Sequence, residues 1–190
     1  MGAHLDHMGK CYEIIPGAND NASAVAVMMA VAKAIATNKI PVKRSILFIA
    51  FGSEEQALVG SKTYVKNPYM PLEKSILINL DGVGIGHSIG ANAGRNYPEL
   101  WSLVDDANKN YVHRTLTTNN FSNLGRPRLD ASIFLTAGVP SLSFYTYGST
   151  NYYHIPQDDI QIIKPEIMED LARLLFLSIV NMANSTTPLR

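Results

Sequence analysis

The sequence contains a single cysteine, Cys11, among its 190 residues. One cysteine cannot form a disulfide bond within the chain, so cysteine usage does not indicate an oxidising or a reducing compartment. No apolar run reaches the roughly 18 residues that a membrane-spanning helix needs. Neither charge is in excess, because 16 basic residues balance 16 acidic ones. Since no basic run is interleaved with aromatic residues, a nucleic-acid partner is not expected.

The first residues also lack the charged segment and apolar stretch of a signal peptide. A polar cluster begins almost at once with His4, and a functional side chain so close to a chain end is normally held by earlier structure. We therefore expect residues 1–190 to form a single domain that is shortened on its amino-terminal side. The 46% of hydrophobic residues suffices for one substantial core.

Five segments have the composition or the apolar spacing of α-helices. The alanine-rich run that begins at Asn21 is expected to form a largely buried helix, and Pro98 suits the first turn of another. The predicted helices are residues 21–37, 58–66, 97–111, 131–137 and 165–183.

Three short apolar runs are typical of strands that are covered on both faces, at residues 45–51, 75–80 and 141–147. Strands that alternate with helices predict an α/β fold with a mostly parallel sheet. The segments 86–96 and 112–130 are interpreted as loops. Ligands of such sheets bind beyond the carboxyl ends of the strands.

Acidic residues and histidines stand where these strands give way to loops. Glu54 and Glu55 follow the first predicted strand, Asp81 ends the second and His154 follows the third. The carboxyl ends of parallel strands meet at one edge of a sheet, so these side chains are expected to converge. Imidazole and carboxylate ligands suit a divalent ion such as zinc, and a catalytic site leaves one position open for water. The pattern therefore predicts a hydrolytic metal site.

The residues near the amino terminus add to this set. Asp20 lies at a sharp entry to the alanine-rich helix, where it could bridge two metal ions or, with Asn21, simply cap the helix. His4 and Asp6 project to the same side of an extended strand, so Asp6 could orient the His4 imidazole. The neighbouring His7 is given no role.

The other candidates have structural interpretations as well. Adjacent glutamates such as Glu54 and Glu55 most often form a solvated surface pair, Asp81 could begin a turn, and His154 could be an exposed loop residue. The surface interpretation is weaker directly after a buried strand. There one carboxylate can bind a metal while its neighbour accepts a proton from water.

Five ordered motifs resemble the metallopeptidase family of dinuclear zinc aminopeptidases, which includes secreted bacterial leucyl aminopeptidases, glutamate carboxypeptidase II and glutaminyl cyclase. The motifs are residues 2–6 (GAHLD), 17–23 (GANDNAS), 51–55 with 58–61 (FGSEE, LVGS), 79–81 (NLD) and 153–159 (YHIPQDD). The resemblance implies a single peptidase domain with a three-layer α/β/α fold. A secreted or periplasmic location is implied by the resemblance alone.

The resemblance also implies two zinc ions per chain. One would be held by His4, Asp20 and Asp81, and the other by Asp20, Glu55 and His154.

It further implies that Glu54 is the general base and that Asp6 is the partner of His4. Tyr153 would be a donor to the oxyanion, and the peptide bond between Asp20 and Asn21 would be cis.

The implied activity is that of an aminopeptidase acting on a peptide with a free N-terminus. Three alternatives stay open: a mononuclear glutaminyl-cyclase-like acyltransferase, a non-catalytic interaction domain, and a carboxypeptidase in which Arg95, Arg126 and Arg128 bind the substrate carboxylate. The chain departs from the family's Ser-Asp-His triplet, because Asp130 is followed by Ala131. The sequence predicts no oligomeric state.

Overall fold

The protein is described by a computed structural model that covers residues 1–10, 13–121, 128–186 and 189. Six strands form the central sheet, and a further pair forms a small antiparallel ribbon. The strands are β1 Gly2–His4, β2 Gly9–Lys10, β3 Ile14–Ile15, β4 Ile49–Phe51, β5 Leu77–Leu80, β6 Ser88–Asn92, β7 Leu116–Thr118 and β8 Ser141–Tyr147.

The order of strands in the sheet is β4-β1-β5-β8-β6-β7, with β2 and β3 in the ribbon. The first four of these strands are mutually parallel, so that His4 in β1 pairs with Phe51 in β4. β6 runs antiparallel to β8, and β7 is parallel to β6. The predicted mostly parallel sheet is therefore confirmed.

All five predicted helices are present. They are α1 Ala24–Thr37, α2 Val59–Lys66, α3 Pro98–Ala107, α4 Asp130–Thr136 and α5 Pro165–Asn184. α1 begins later than predicted because Ala18–Ser23 form a wide helical turn in which Asp20 and Asn21 have non-helical backbone angles. α3 ends early because a similar turn, Asn108–Val112, follows it. Across the part of the chain that the structure describes, no helix is both long and apolar enough to cross a bilayer.

The helices cover both faces of the sheet, and the three-layer α/β/α fold is confirmed. α1, α3 and α5 pack on one face, and α2 and α4 lie on the other. Because side chains alternate along a strand, β5 contributes to both layers. Ile78 and Leu80 belong to the larger core, whereas Leu77 joins Phe51 and Phe134 in the smaller one.

The predicted strand at residues 45–51 is present but shorter, and the expectation that it is covered on both faces was wrong. Only the last three of these residues pair with the sheet, and they do so at its edge. Ile49 is half-buried, Ala50 is exposed and Phe51 is buried. A strand with one neighbour is covered less than the apolar run suggested.

The expected largely buried helix is also half exposed. Ala24, Val27, Met28 and Val31 form the buried face of α1, while Met29 is 65% exposed. The many alanines make the exposed and buried faces similar in composition, so the sequence does not show which face meets the core.

The segments interpreted as loops contain two strands, β6 and β7. β6 reads Ser-Ile-Gly-Ala-Asn and lacks the run of β-branched residues that usually marks a strand. Its Gly90 makes room for a ring of the adjacent strand, since a Cβ atom there would lie 2.4 Å from Cζ of Tyr145.

Candidate metal centre

The predicted metal ligands meet at the carboxyl ends of the parallel strands. His4 is the last residue of β1, Asp81 follows β5, Glu55 follows β4, and His154 lies in the loop after β8. Asp20 lies in the turn before α1. The convergence expected from strand order is thus found in the structure.

The first half of the site consists of His4, Asp20 and Asp81. Nε2 of His4 lies 3.2 Å from Oδ1 of Asp20 and 3.8 Å from Oδ1 of Asp81. One nitrogen and two carboxylate oxygens at these separations form a ligand set that suits zinc.

The second half contains His154, Glu55 and the other oxygen of Asp20. Nε2 of His154 lies 3.0 Å from Oε1 of Glu55 and 3.3 Å from Oδ2 of Asp20. Nδ1 of His7 also lies 3.0 Å from Oε1 of Glu55. The two oxygens of Asp20 therefore face different halves of the site, as a carboxylate that bridges two ions must.

The surroundings of His4 favour a positive charge at this place. Burial by itself lowers the pKa of His4, but the Asp20 and Asp81 carboxylates outweigh it and raise the pKa to about 11. Burial raises the pKa of Asp20, yet hydrogen bonding and charge from His4, aided by His7 and His154, bring it below its ordinary value. The ionised form of Asp20 is thus favoured, which fits a cation site, whereas burial raises the pKa of Asp81.

Glu54 has a different environment from its neighbour Glu55. Burial raises the pKa of Glu54 to about 8, against the attraction of His4 and together with the negative charges of Asp81, Asp130 and Glu55. A carboxyl group whose pKa lies near neutrality can both accept and return a proton.

Backbone contacts hold Asp20 in its turn. Asp158, which is 1% exposed, accepts hydrogen bonds from the backbone N–H groups of Asn19 at 2.7 Å and Asp20 at 3.0 Å. The peptide bond between Asp20 and Asn21 is cis. Nδ2 of Asn21 donates to the carbonyl oxygen of Leu80. Because α1 begins only at Ala24, the helix-cap interpretation of Asp20 and Asn21 is not supported.

Asp6 contacts the loop of the two glutamates. Its carboxylate accepts hydrogen bonds from the backbone N–H groups of Glu54 at 3.0 Å and Glu55 at 3.2 Å. Nδ1 of His4 lies 3.0 Å from the backbone oxygen of Asp6, and 3.8 Å from its carboxylate. The side chain of Asp6 thus fixes the start of the Glu54 loop, and its backbone contacts the imidazole.

Tyr153 lies beside the second half of the site. Its ring stacks on the His154 ring with a centroid distance of 3.6 Å, and the residue is 61% exposed. Burial of its hydroxyl end and the nearby carboxylates raise the pKa of Tyr153 to about 12, so the hydroxyl keeps its proton. The residue lines a cleft of about 320 Å³ together with Asp20, Asp81 and Tyr145.

Two of the three arginines considered for a substrate carboxylate can be located. Arg95 and Arg128 are exposed, and neither lines this cleft in the part of the chain that the structure describes. Arg126 lies outside the described residues.

The sequence model of one protein family, peptidase family M28, matches residues 1–179. The chain belongs to peptidase family M28.

Relatives of this M28 chain include aminopeptidases. Aminopeptidase YwaD of Bacillus subtilis (strain 168) is 32% identical over 174 residues, which cover 84% of this chain and 36% of that protein. The structure of BSAP, a zinc aminopeptidase from Bacillus subtilis, aligns with a TM-score of 0.81 at 26% identity over 100% of this chain and 47% of that chain. The M28 chain thus spans less than half the length of either.

Glutaminyl cyclase of Porphyromonas gingivalis has the same fold. Its structure aligns with a TM-score of 0.70 at 18% identity, over 95% of this chain and 72% of that chain. At this identity the likeness concerns the M28 fold alone.

Three polar residues of this site were assigned no role from the sequence. His7 contacts Glu55, Asp158 holds the Asp20 turn, and Asp130 is buried near Glu54. A second histidine three residues after His4 was the one signal for His7. Asp158 lay within the last of the five motifs and Asp130 within the family's triplet, but their burial could not be seen without the fold.

Proposed function

We propose that this chain is the catalytic domain of a zinc-dependent aminopeptidase. The observation that carries the proposal is Asp20, whose two oxygens face separate groups of ligands, one with His4 and one with His154. Membership of family M28 and the aminopeptidase relatives support the same function.

His4, Asp20 and Asp81 would hold one zinc ion, and Asp20, Glu55 and His154 would hold the other. Zinc, when bound, lowers the pKa of water and polarises a carbonyl oxygen. Retention of ligands for both ions favours this reading over a mononuclear, cyclase-like acyltransferase.

Glu54 is the general base. Its carboxylate accepts a proton from the water that attacks the peptide carbonyl, and it then gives the proton to the leaving amine. Asp6 holds the loop of Glu54 and Glu55 through their backbone N–H groups. These hydrogen bonds fix the position of the base relative to the metal ligand. The hydroxyl of Tyr153 donates a hydrogen bond to the developing oxyanion.

The substrate is a peptide with a free N-terminus. The aminopeptidase relatives support this substrate class. The cleft volume is at the lower end of the range for ligand pockets, which favours a single terminal residue. The exposed positions of Arg95 and Arg128 give no support to the carboxypeptidase alternative. A secreted or periplasmic location stays a prediction.

The test is the hydrolysis of a series of aminoacyl-nitroanilides by the zinc-loaded chain, with the zinc content measured for every sample. We expect the wild type to hydrolyse at least one substrate, and Glu54→Gln to lower kcat by about 10²- to 10⁴-fold while keeping its zinc. Glu73, an exposed glutamate, provides the matched control, and Glu73→Gln should leave kcat unchanged.

Other results would contradict the proposal. A wild type that holds two zinc ions and hydrolyses none of the substrates favours the non-catalytic domain. One zinc ion per chain together with cyclisation of an N-terminal glutamine favours the acyltransferase. Equal rates for wild type and Glu54→Gln would exclude Glu54 as the base.

A further inference from the structure

His7 is a buried histidine whose ring nitrogens lack hydrogen bonds. Its side chain is only 9% exposed, and neither Nδ1 nor Nε2 has a hydrogen-bond partner among the described residues. Nδ1 lies 3.0 Å from Oε1 of Glu55, but the contact does not have hydrogen-bond geometry. A buried polar group without a partner is costly, and such a group in a native structure calls for a missing ligand or ion.

Four atoms around this place are close enough to share a zinc ion, since all lie within 4.8 Å of one another. With zinc-to-ligand distances of about 2.0–2.1 Å, neighbouring ligands of a tetrahedron lie about 3.3 Å apart. Nδ1 of His7 and Nε2 of His154 each lie 3.0 Å from Oε1 of Glu55. Their distances to Oδ2 of Asp20 are 3.9 Å and 3.3 Å. Two nitrogens and two oxygens are thus close enough together to bind one ion.

The backbone makes room for the His7 ring. Gly17 has a φ of +71°, and a Cβ atom there would lie 2.5 Å from Cγ and Cδ2 of His7. A residue with a side chain at this position would displace the imidazole. The turn that carries Asp20 is therefore shaped around His7 as well.

We propose that His7 is a fourth protein ligand of the zinc ion held by Asp20, Glu55 and His154. This inference rests on the proposed two-zinc function. It makes the two halves of the site unequal. Four side chains surround the zinc position of the second half, and three surround that of the first half. Closed four-ligand sites are typical of firmly held zinc, and three-ligand sites keep a position open. Zinc therefore fills the second half first, and the open coordination position belongs to the first half.

The test is X-ray absorption spectroscopy of the full chain, which counts the imidazoles around zinc. The metal-free protein is loaded with one equivalent of Zn²⁺ alone. We expect two imidazoles per zinc, from His7 and His154. One imidazole per zinc would overturn the proposal, and this measurement on the wild type does not depend on the folding of any variant.

A variant gives the second readout. His7→Ala should lower the count to one imidazole per zinc and weaken the tighter of two zinc-binding steps in calorimetry by at least about 10- to 100-fold. His113 is exposed and has a positive φ, which asparagine tolerates, so His113→Asn is the matched control and should match the wild type. Unchanged affinity and an unchanged count in His7→Ala would also overturn the proposal.

Failure of the inference can be distinguished from failure of the proposed function. If the wild type binds two zinc ions with one imidazole each and is an active aminopeptidase, only the role of His7 is wrong. If the wild type binds no zinc, the two-zinc function fails, and the inference fails with it.

Discussion

Asp130 is a buried residue whose ionised carboxylate is only weakly stabilised by its surroundings. The residue is 1% exposed, and neither carboxylate oxygen accepts a hydrogen bond of normal geometry from the residues that the structure describes. Burial raises the pKa of Asp130 to about 6. The nearby Ser61 offsets this only in part, since its hydroxyl donates to the carbonyl oxygen of Leu58.

This raised pKa makes stability depend on pH in a known direction. An ordinary aspartate has a pKa near 3.8, so between about pH 4 and pH 6 the folded chain binds more protons at Asp130 than the unfolded chain does. The free energy of unfolding therefore falls as the pH rises through this range. A shift of about two pKa units corresponds to about 3 kcal/mol, and this cost is fully present above about pH 6.

Replacement of Asp130 by asparagine should remove this cost. We expect metal-free Asp130→Asn to be more stable than the wild type at pH 7, by up to about 3 kcal/mol, and to show a smaller fall in stability between pH 4 and pH 6, where the raised pKa of Glu54 still contributes. Urea unfolding at a series of pH values in the presence of a chelator measures both effects. Asp106 is exposed, so Asp106→Asn should follow the wild-type curve. A variant curve parallel to that of the wild type would contradict the assignment to Asp130.

Among single residues, the sequence was informative where position in the chain decides function. His4, Asp20, Asp81 and His154 could be proposed because each borders an apolar segment or a turn. His7 could not, because its contact with Glu55 depends on how two distant loops fold together.

At the scale of elements, the site is held by loops that exchange backbone hydrogen bonds with carboxylates. Asp158 binds the N–H groups of Asn19 and Asp20, and Asp6 binds those of Glu54 and Glu55. In both cases a side chain from one loop fixes the backbone of another. The ligands Asp20 and Glu55 thus depend on contacts distant in the chain.

Replacement of Asp158 should therefore loosen the turn that carries Asp20. Asparagine keeps one acceptor oxygen and turns a donor toward the second N–H group, so we expect Asp158→Asn to lower the free energy of unfolding by about 1.5–3 kcal/mol. Because Asp20 contacts both halves of the site, both zinc-binding steps should weaken. Urea unfolding and calorimetric zinc titration give the two values.

The neighbouring Asp159 supplies the control for this prediction. Asp159 accepts a hydrogen bond from the N–H group of Gln161 at the start of a short helical turn, and asparagine caps such turns about as well as aspartate. Asp159→Asn should therefore behave like the wild type. If the two variants bind zinc equally well, Asp158 does not support the site.

The elements that the sequence predicted are those whose pattern is strong within a few residues. β5 and β8 are apolar runs in the middle of the sheet, and α5 has clear helical spacing. β6 and β7 were missed because their strand character comes from pairing with each other and with β8. The edge position of β4 could not be foreseen either, since an apolar run does not show how many neighbours a strand has.

For the whole molecule, the larger core beneath α5 lies apart from the site. The metal ligands lie at the carboxyl ends of the strands, while α5 packs on a face of the sheet against α1 and α3. Leu171, Leu174 and Leu175 of α5 are fully buried in that larger core. The α/β class and the convergence of ligands followed from the strand order, because parallel strands bring their carboxyl ends together.

This separation predicts that a cavity in the larger core weakens folding without changing the site. Leu174→Ala removes a fully buried side chain, and we expect it to lower the free energy of unfolding by about 2–5 kcal/mol. Leu177 on the same helix is only half-buried, so Leu177→Ala should cost clearly less. Both variants should bind zinc like the wild type at temperatures where they are folded. Because the ligands are held by loop contacts and strand ends, a loss of zinc affinity in folded Leu174→Ala would show that the core and the site are coupled.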